Sequence, residues 1–508
     1  MRDLLTRIGY WVVLLGLGAL VFSHGGRANG AGMGFDEARH LLNRTGFGAS
    51  PGEIAEFSTL TREQAVERLL RPARTVAAQP VPAWVNEAIT PPRQLRDAGE
   101  QARKAFQQEQ VRRGFELRGW WLAEMIVTPS PLVERMTLFW HNHFVSSQQK
   151  VRYVQLMYRQ NLLLRQHALG NFAALLHAAA KDPAMIIYLD SASNRKGQPN
   201  ENFAREVMEL FTMGEGHYGE TDIREAARAF TGWSIEPETG EYRWRPFLHD
   251  EGQKTVLGAS GNFDGDAVLD ILLARSATAE FITRKLWREF VSPLPDEREV
   301  RRIAARFRES GYDTGTALRW LLLSPAFWSQ EARGSLVKSP VDLVVGTVRS
   351  FQFQTGDALP FSMVTASLGQ NLFAPPNVKG WPGGEAWINS STLLARKQFL
   401  ERLFRAQEMP PQAMSNREMA DGARMKDFAK VKGQGRLGEE GRERFVRALT
   451  DIHFDSAAWF KGLGGYAPLA RRAVLATDPA NDALMTPGTL AEKDWLRQLV
   501  LDPAFQLK

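Results

Sequence analysis

The chain of 508 residues contains no cysteine. That absence excludes disulfides, zinc–thiolate sites, iron–sulfur clusters, thioether-attached haem and a lipid-modified cysteine anchor. It leaves metal binding open, because nine histidines and 57 acidic residues remain. Charge of one sign is also scarce: 63 basic side chains nearly cancel the acids, leaving +6, and no long Lys/Arg run occurs. No nucleic acid is therefore expected as a partner, since that needs a concentrated basic footprint. Repeated strand–helix alternation is lacking, so a doubly wound or β/α-barrel architecture has no support. A phosphate-binding loop with its Lys-Ser/Thr ending is missing as well.

What is present is an ordinary globular composition, 44% apolar and 24% charged, on a chain long enough to bury a large core. The pattern from Phe35 onward is helical. Ser50-Pro51-Gly52-Glu53 and Thr61-Arg62-Glu63-Gln64 read as capped helix starts, and Pro129 and Pro131 as a stop between two helices. Only residues 241–248 (EYRWRPFL) alternate like a hairpin arm or extended loop. The expected fold class is mainly α: an irregular multi-helix domain with a few short strands and long loops. A short echo, LRWLLLSPAFW at 318–328 and LRQLVLDPAFQ at 496–506, reads as a helix stop at Ser/Asp-Pro or as a duplicated helical unit.

Four segments are expected. Residues 1–30 predict an export signal: Arg2 and Arg7 flank the start, and Ile8 to Phe22 carries no charge. A helix of that length spans about 22 Å, short of the ~30 Å hydrocarbon core. Ala28-Asn29-Gly30 offers a small-x-small site, with cleavage expected before Ala31. An uncleaved anchor is the alternative, in which case this segment is the membrane contact. The predicted location is exported, periplasmic or extracellular. Residues 31–405 form the main helical domain, 406–443 a charged flexible linker or loop, and 444–508 a helical segment packing on the main domain.

Six separated segments are recognisable together. They are Arg39-His40-Leu41-Leu42-Asn43-Arg44 with Gly46-Phe47-Gly48, Phe139-Trp140-His141-Asn142-His143-Phe144, Asn200 to Gly214, Ala227 to Trp233, His249-Asp250 with Lys254, and Pro375 to Trp387. In this order, over roughly residues 35–400, the chain resembles the bacterial family known as domain of unknown function 1800. The resemblance implies an exported protein of a family without an established reaction, so the chemistry has to be argued from the residues.

Asn202, Glu206 and Glu209 lie at i, i+4 and i+7 and share one helix face. Two carboxylates one turn apart suit a divalent cation or acid–base work. The competing reading is a carboxylate–arginine network, with Arg224 and Arg228 as the opposing charges and Glu201–Arg205 paired beside it. His141 and His143 diverge by about 200° on a helix but face one site from an extended segment, where both could ligate zinc, iron, copper or nickel. Otherwise one caps a helix and the other is a hydrogen-bonded core group. His249 and Asp250, with Lys254, form a loop constellation of base, acid and cation, or else local turn chemistry. The Gly380–Gly384 loop with Trp381 and Trp387 presents flat faces for a sugar, or pins itself to the core.

Two functions follow. The first is an enzyme using a divalent transition metal held by His141, His143, Glu206 and Glu209, with Glu206, Glu209, His249 and Asp250 as catalytic groups. Its chemistry would be hydrolytic or oxidative, on an envelope or extracellular substrate. The second is a non-catalytic envelope binding or assembly protein, whose partner is an exported protein or a polysaccharide.

Overall fold

The computed structural model describes residues 32–71, 75–405, 451–488 and 490–508. The segments expected as an export signal with its cleavage point (1–30) and as a linker (406–443) lie outside the described residues. Among the described residues there are 22 α-helices and four three-residue strands, so the chain is mainly α. No described helix is long and apolar enough to cross a membrane.

Local chemistry places the helix ends. Ser50 and Thr61 each accept the backbone N–H three residues on, while Glu53 and Gln64 reach back to the capping N–H, closing both capping boxes. The first helix, α1, is Phe35–Thr45. Helix α2, Glu100–Val127, stops before Pro129, and α3, Pro131–His143, starts with proline at its first position. The Ser/Asp-Pro echo resolves into repeated helix starts. Asp182, Ser324 and Asp502 each cap a new helical turn through the side chain, with proline at the first position. The strands form two antiparallel hairpins: β1 (Trp233–Ile235) with β2 (Tyr242–Trp244), and β3 (Lys254–Val256) with β4 (Ala259–Gly261). Residues 242–244 of the alternating stretch are thus a hairpin arm, and Pro246–Leu248 turns as a short 3-10 helix.

Two apolar clusters make the core. One gathers residues from positions 38 to 328 and the other joins α2, the segment 341–373 and the C-terminal residues Trp459, Trp495 and Phe505. Helix α3 lies between them, giving Met136, Phe139 and Trp140 to the first and Leu138 to the second. Because it is covered on all sides, its charges need buried partners. Glu134 accepts from Arg165 Nε at 2.6 Å and Trp121 Nε1 at 2.8 Å, and Arg135 pairs with Asp342.

Candidate functional site

The last turn of α3 is a hub. Successive helical residues point about 100° apart, so His141, Asn142 and His143 reach three different neighbours. The Phe373 N–H donates to His141 Nε2 at 3.2 Å, and the His141 ring packs against Trp121, Phe373 and Trp381. Asn142 Oδ1 accepts the Trp381 N–H at 2.7 Å, and its Nδ2 donates to the Trp381 carbonyl at 3.4 Å. His143 Nε2 donates to the Phe211 carbonyl at 3.1 Å, while Lys285 Nζ donates to Nδ1 at 2.8 Å. These partners fix opposite tautomers on the two rings. Burial pulls His141 down to about 3; burial and then the nearby Lys285 charge hold His143 well below its ordinary value. Both imidazoles stay neutral.

This corrects the extended-segment expectation. The helix runs through His143, so the rings diverge, and each already serves a distant backbone group. Among the described residues no group of three or more His, Asp or Glu side chains could hold a cation. His141, His143, Glu206 and Glu209 therefore do not assemble as one ligand set.

The carboxylates sit elsewhere on the hub. Helix α4, Asn202–Glu206, runs directly into a π-helical turn, Val207–Thr212, whose Thr212 hydroxyl donates to the Val207 carbonyl at 2.6 Å. Such turns bond five residues apart and occur frequently at functional sites. Glu206, at the junction, is half-buried and has no hydrogen bond or ion pair among the described residues. Burial raises its pKa, and the neighbouring Glu209 raises it further. Glu209 accepts the Tyr218 O–H at 3.2 Å and lies 3.6 Å from Lys379 Nζ, which also faces Glu215 at 3.7 Å. The Tyr218 phenol is pushed up to about 12 by burial and by Glu209. Asn202 instead donates to the Leu189 carbonyl at 3.2 Å.

The expected arginines oppose other acids. Arg228 pairs with Asp250 and Glu225, and Arg224 lies 4.0 Å from Glu201. The Glu201–Arg205 pair does form, at 3.4 Å. Behind β2, His249 Nδ1 donates to the Thr231 carbonyl at 2.9 Å. Asp250 takes two Arg228 nitrogens at 2.8 and 3.1 Å and the Gly252 N–H at 2.9 Å. Arg228 brings the Asp250 carboxyl down to about 2, which leaves a poor proton carrier. Lys254 is buried, donating to the carbonyls of Asp250 and Gly252 at 2.5 and 3.0 Å. His249, Asp250 and Lys254 thus hold their own loop together, and the catalytic roles expected of His249 and Asp250 have no geometric support.

The glycine–tryptophan loop is pinned inward. Trp381 and Trp387 are only 4% and 6% exposed, so they offer no platform to a sugar. Gly380 has φ +82°, and a Cβ there would lie 2.2 Å from Asn142 Oδ1. That close approach carries Lys379 to Glu209. Tyr218, Lys379 and Lys285 escaped the sequence reading, although Lys379 stands inside the quoted Pro375–Trp387 segment. Gly48-Ala49-Ser50-Pro51-Gly52 carries the letters of a Gly-x-Ser-x-Gly nucleophile turn. Its serine, however, is a buried helix cap bonded to Glu53.

Three of the quoted segments, around His141, Glu206 and Gly380, thus meet at one place. The profile of the family described as "Protein of unknown function (DUF1800)" matches residues 40–507. The chain belongs to the DUF1800 family. The DUF1800 match runs past residue 400 into the C-terminal segment, in keeping with the burial of Trp459, Trp495 and Phe505 in the second cluster. No curated protein and no solved structure matches this DUF1800 chain.

Proposed function

We propose that this DUF1800 protein is an exported hydrolase that acts on an envelope polysaccharide by acid–base transfer between Glu206 and Glu209. The observation that carries the reading is the asymmetry of the pair. Glu206 is unengaged, reachable and biased toward its protonated form, whereas Glu209 is held by Tyr218 and Lys379. Environments that differ in this way separate an acid from a base. Glu206 would give its proton to the leaving glycosidic oxygen as the C–O bond breaks. Glu209 would take a proton from the water whose oxygen bonds to that carbon. Export is proposed from the N-terminal apolar run. A metal has no matching donor set in the two histidines, which are committed to backbone groups on opposite sides of α3.

A second reading, a non-catalytic envelope binding or assembly protein, draws on those same histidines: His141, His143 and His249 all work as internal clamps. The test is release of reducing ends from isolated cell-wall polysaccharide by the purified chain. Release that is lost in Glu206→Gln and in Glu209→Gln, both folded, supports the hydrolase. Equal release by the variants overturns these assignments, and binding without release by the wild type favours the second reading.

A further inference from the structure

A small cavity lies on the other side of α3, in the second cluster. Its volume is about 30 Å³, and its walls come from α1, from the helix α5 (Pro340–Ser350) and from the C-terminal segment. It shares no lining residue with the Glu206 site. A site needs about 10–15 Å³ of such space to hold one water, so this one takes a small ion or a few waters.

The lining is rich in donors and cations. Lys338 Nζ sits 3.6 Å above the Phe505 ring and has no carboxylate partner among the described residues. The backbone N–H groups of Gly48 and Ala49, the Asn43 amide and the Ser350 hydroxyl also have no hydrogen-bond partner there. Gly48 has φ +82°, and successive N–H groups beside such a residue form an anion-binding concavity. Asp342, the one acidic side chain in the wall among the described residues, is already committed. Arg135 takes one oxygen; Lys508 Nζ at 2.8 Å and the Ser339 N–H at 3.0 Å take the other. Arg44 and Arg396 are buried within its field as well. Several buried cations thus face the buried Asp342 and the partly exposed Glu289, which lies 3.2 Å from Arg135, so positive charge is in excess, and an uncompensated buried charge is costly.

We infer that this cavity binds a monatomic anion of chloride size, held by Lys338, Asn43, Ser350 and the Gly48–Ala49 amides. Its chemistry is that of a halide. Water would satisfy the donors but would leave the positive charge uncompensated. Burial brings the Lys338 ammonium down to about 7, a shift that an adjacent anion opposes. The ion would join α1, α5 and the C-terminal residues Trp459, Phe505 and Lys508, which contribute to the same wall. It is a structural site, independent of the hydrolase reading.

The test is thermal unfolding of the purified chain as sodium chloride replaces sodium gluconate at fixed ionic strength. A ligand that binds the folded state alone gives a saturable rise in Tm, here of about 2–4 °C. The rise should vanish in Lys338→Met. Equal Tm in both salts, or the same rise in Lys338→Met, overturns the site. Should that variant fail to fold, wild-type crystals soaked in sodium bromide decide. An anomalous peak beside Lys338 Nζ supports the anion, and water density without bromide overturns it.

Discussion

Lys285 Nζ lies 2.8 Å from His143 Nδ1, and the other nitrogen of that ring lies 3.1 Å from the Phe211 carbonyl. One imidazole thereby ties the helix Ser276–Phe290 to the π turn that carries Glu209. Lys285 has no carboxylate partner among the described residues; burial, with Arg288 adding, brings its ammonium down to about 8. The neutral ring passes the link from an ammonium donor to a carbonyl acceptor, fixing the end of the turn two residues beyond Glu209.

The first prediction concerns this relay. His143→Phe removes the acceptor for Lys285 and the donor to Phe211, leaving polar groups unpaired. A cost of about 2–4 kcal/mol is expected. Lys285→Met should cost less, about 1–2 kcal/mol, because it leaves only one ring nitrogen unpaired. The double variant should lose at least ~0.5 kcal/mol less than the sum of the singles, since the second change removes the group that the first orphaned. Urea unfolding of all four proteins checks this, and strict additivity would remove the pair from the account.

Asp182 supplies a pH prediction. It caps its helix while buried, bonded to Gln160 Nε2 at 2.8 Å and to the Met185 N–H at 3.0 Å, and burial raises its carboxyl to about 7. Gln160 Oε1 has no partner among the described residues, so turning the amide over lets it accept the Asp182 proton. A folded pKa above the unfolded value means that the contribution is full below about pH 4 and is lost as pH rises through about 7. Asp182→Asn keeps a good cap and cannot ionise. From pH 5 to 8 the wild type should lose of order 2–4 kcal/mol relative to that variant. Parallel pH profiles would show that Asp182 does not titrate in this range.

The fold was legible where short-range chemistry decides it. Ser50 with Glu53, Thr61 with Gln64, and the prolines at 129 and 131 mark helix ends through neighbours a few residues away. The histidine pair was not, because a spacing of two suits a shared site only in extended chain, and α3 continues through both histidines. Its partners lie on remote segments: Phe373 is 232 positions from His141, and Lys285 is 142 from His143. Long-range pairing of that kind leaves no mark in a local pattern. The π turn was also invisible, since Val207–Thr212 has ordinary helix formers and differs only in which carbonyl each N–H reaches. Glu206 and Glu209 were legible as a pair, but the lysine and tyrosine that make them unequal were not.

Gly380 carries the third prediction. A side chain at φ +82° is strained, and its Cβ would also fall 2.8 Å from the Asn142 carbonyl oxygen. Gly380→Ala should therefore push the loop off α3 and break the Trp381 N–H to Asn142 bond. A loss of about 2–3 kcal/mol is expected. Gly383→Ala is the control, having a positive φ but nothing within 4 Å among the described residues, and should cost less. Chemical denaturation of both variants measures the difference, and equal losses would mean that the close approach to Asn142 is unimportant.

The last prediction tests the inequality of the two carboxylates without any substrate. Burial and Glu209 raise the Glu206 pKa, while Lys379 and Arg205 oppose them. The Glu206 carboxyl, followed by NMR in selectively labelled protein, should therefore titrate above the ordinary ~4.3 of a free glutamate. Glu209→Gln removes a like charge and should lower that midpoint. Lys379→Met removes an opposite charge and should raise it. The two shifts have opposite signs, and a general loosening of the site could not produce both, since greater hydration lowers the midpoint in either variant. The sign carries into stability: with its folded pKa raised, the Glu206 contribution is lost as pH rises through the folded midpoint, and Glu206→Gln should lack that loss. A midpoint at the free value, or one indifferent to Glu209→Gln, would detach Glu206 from Glu209 and withdraw the acid role assigned to it.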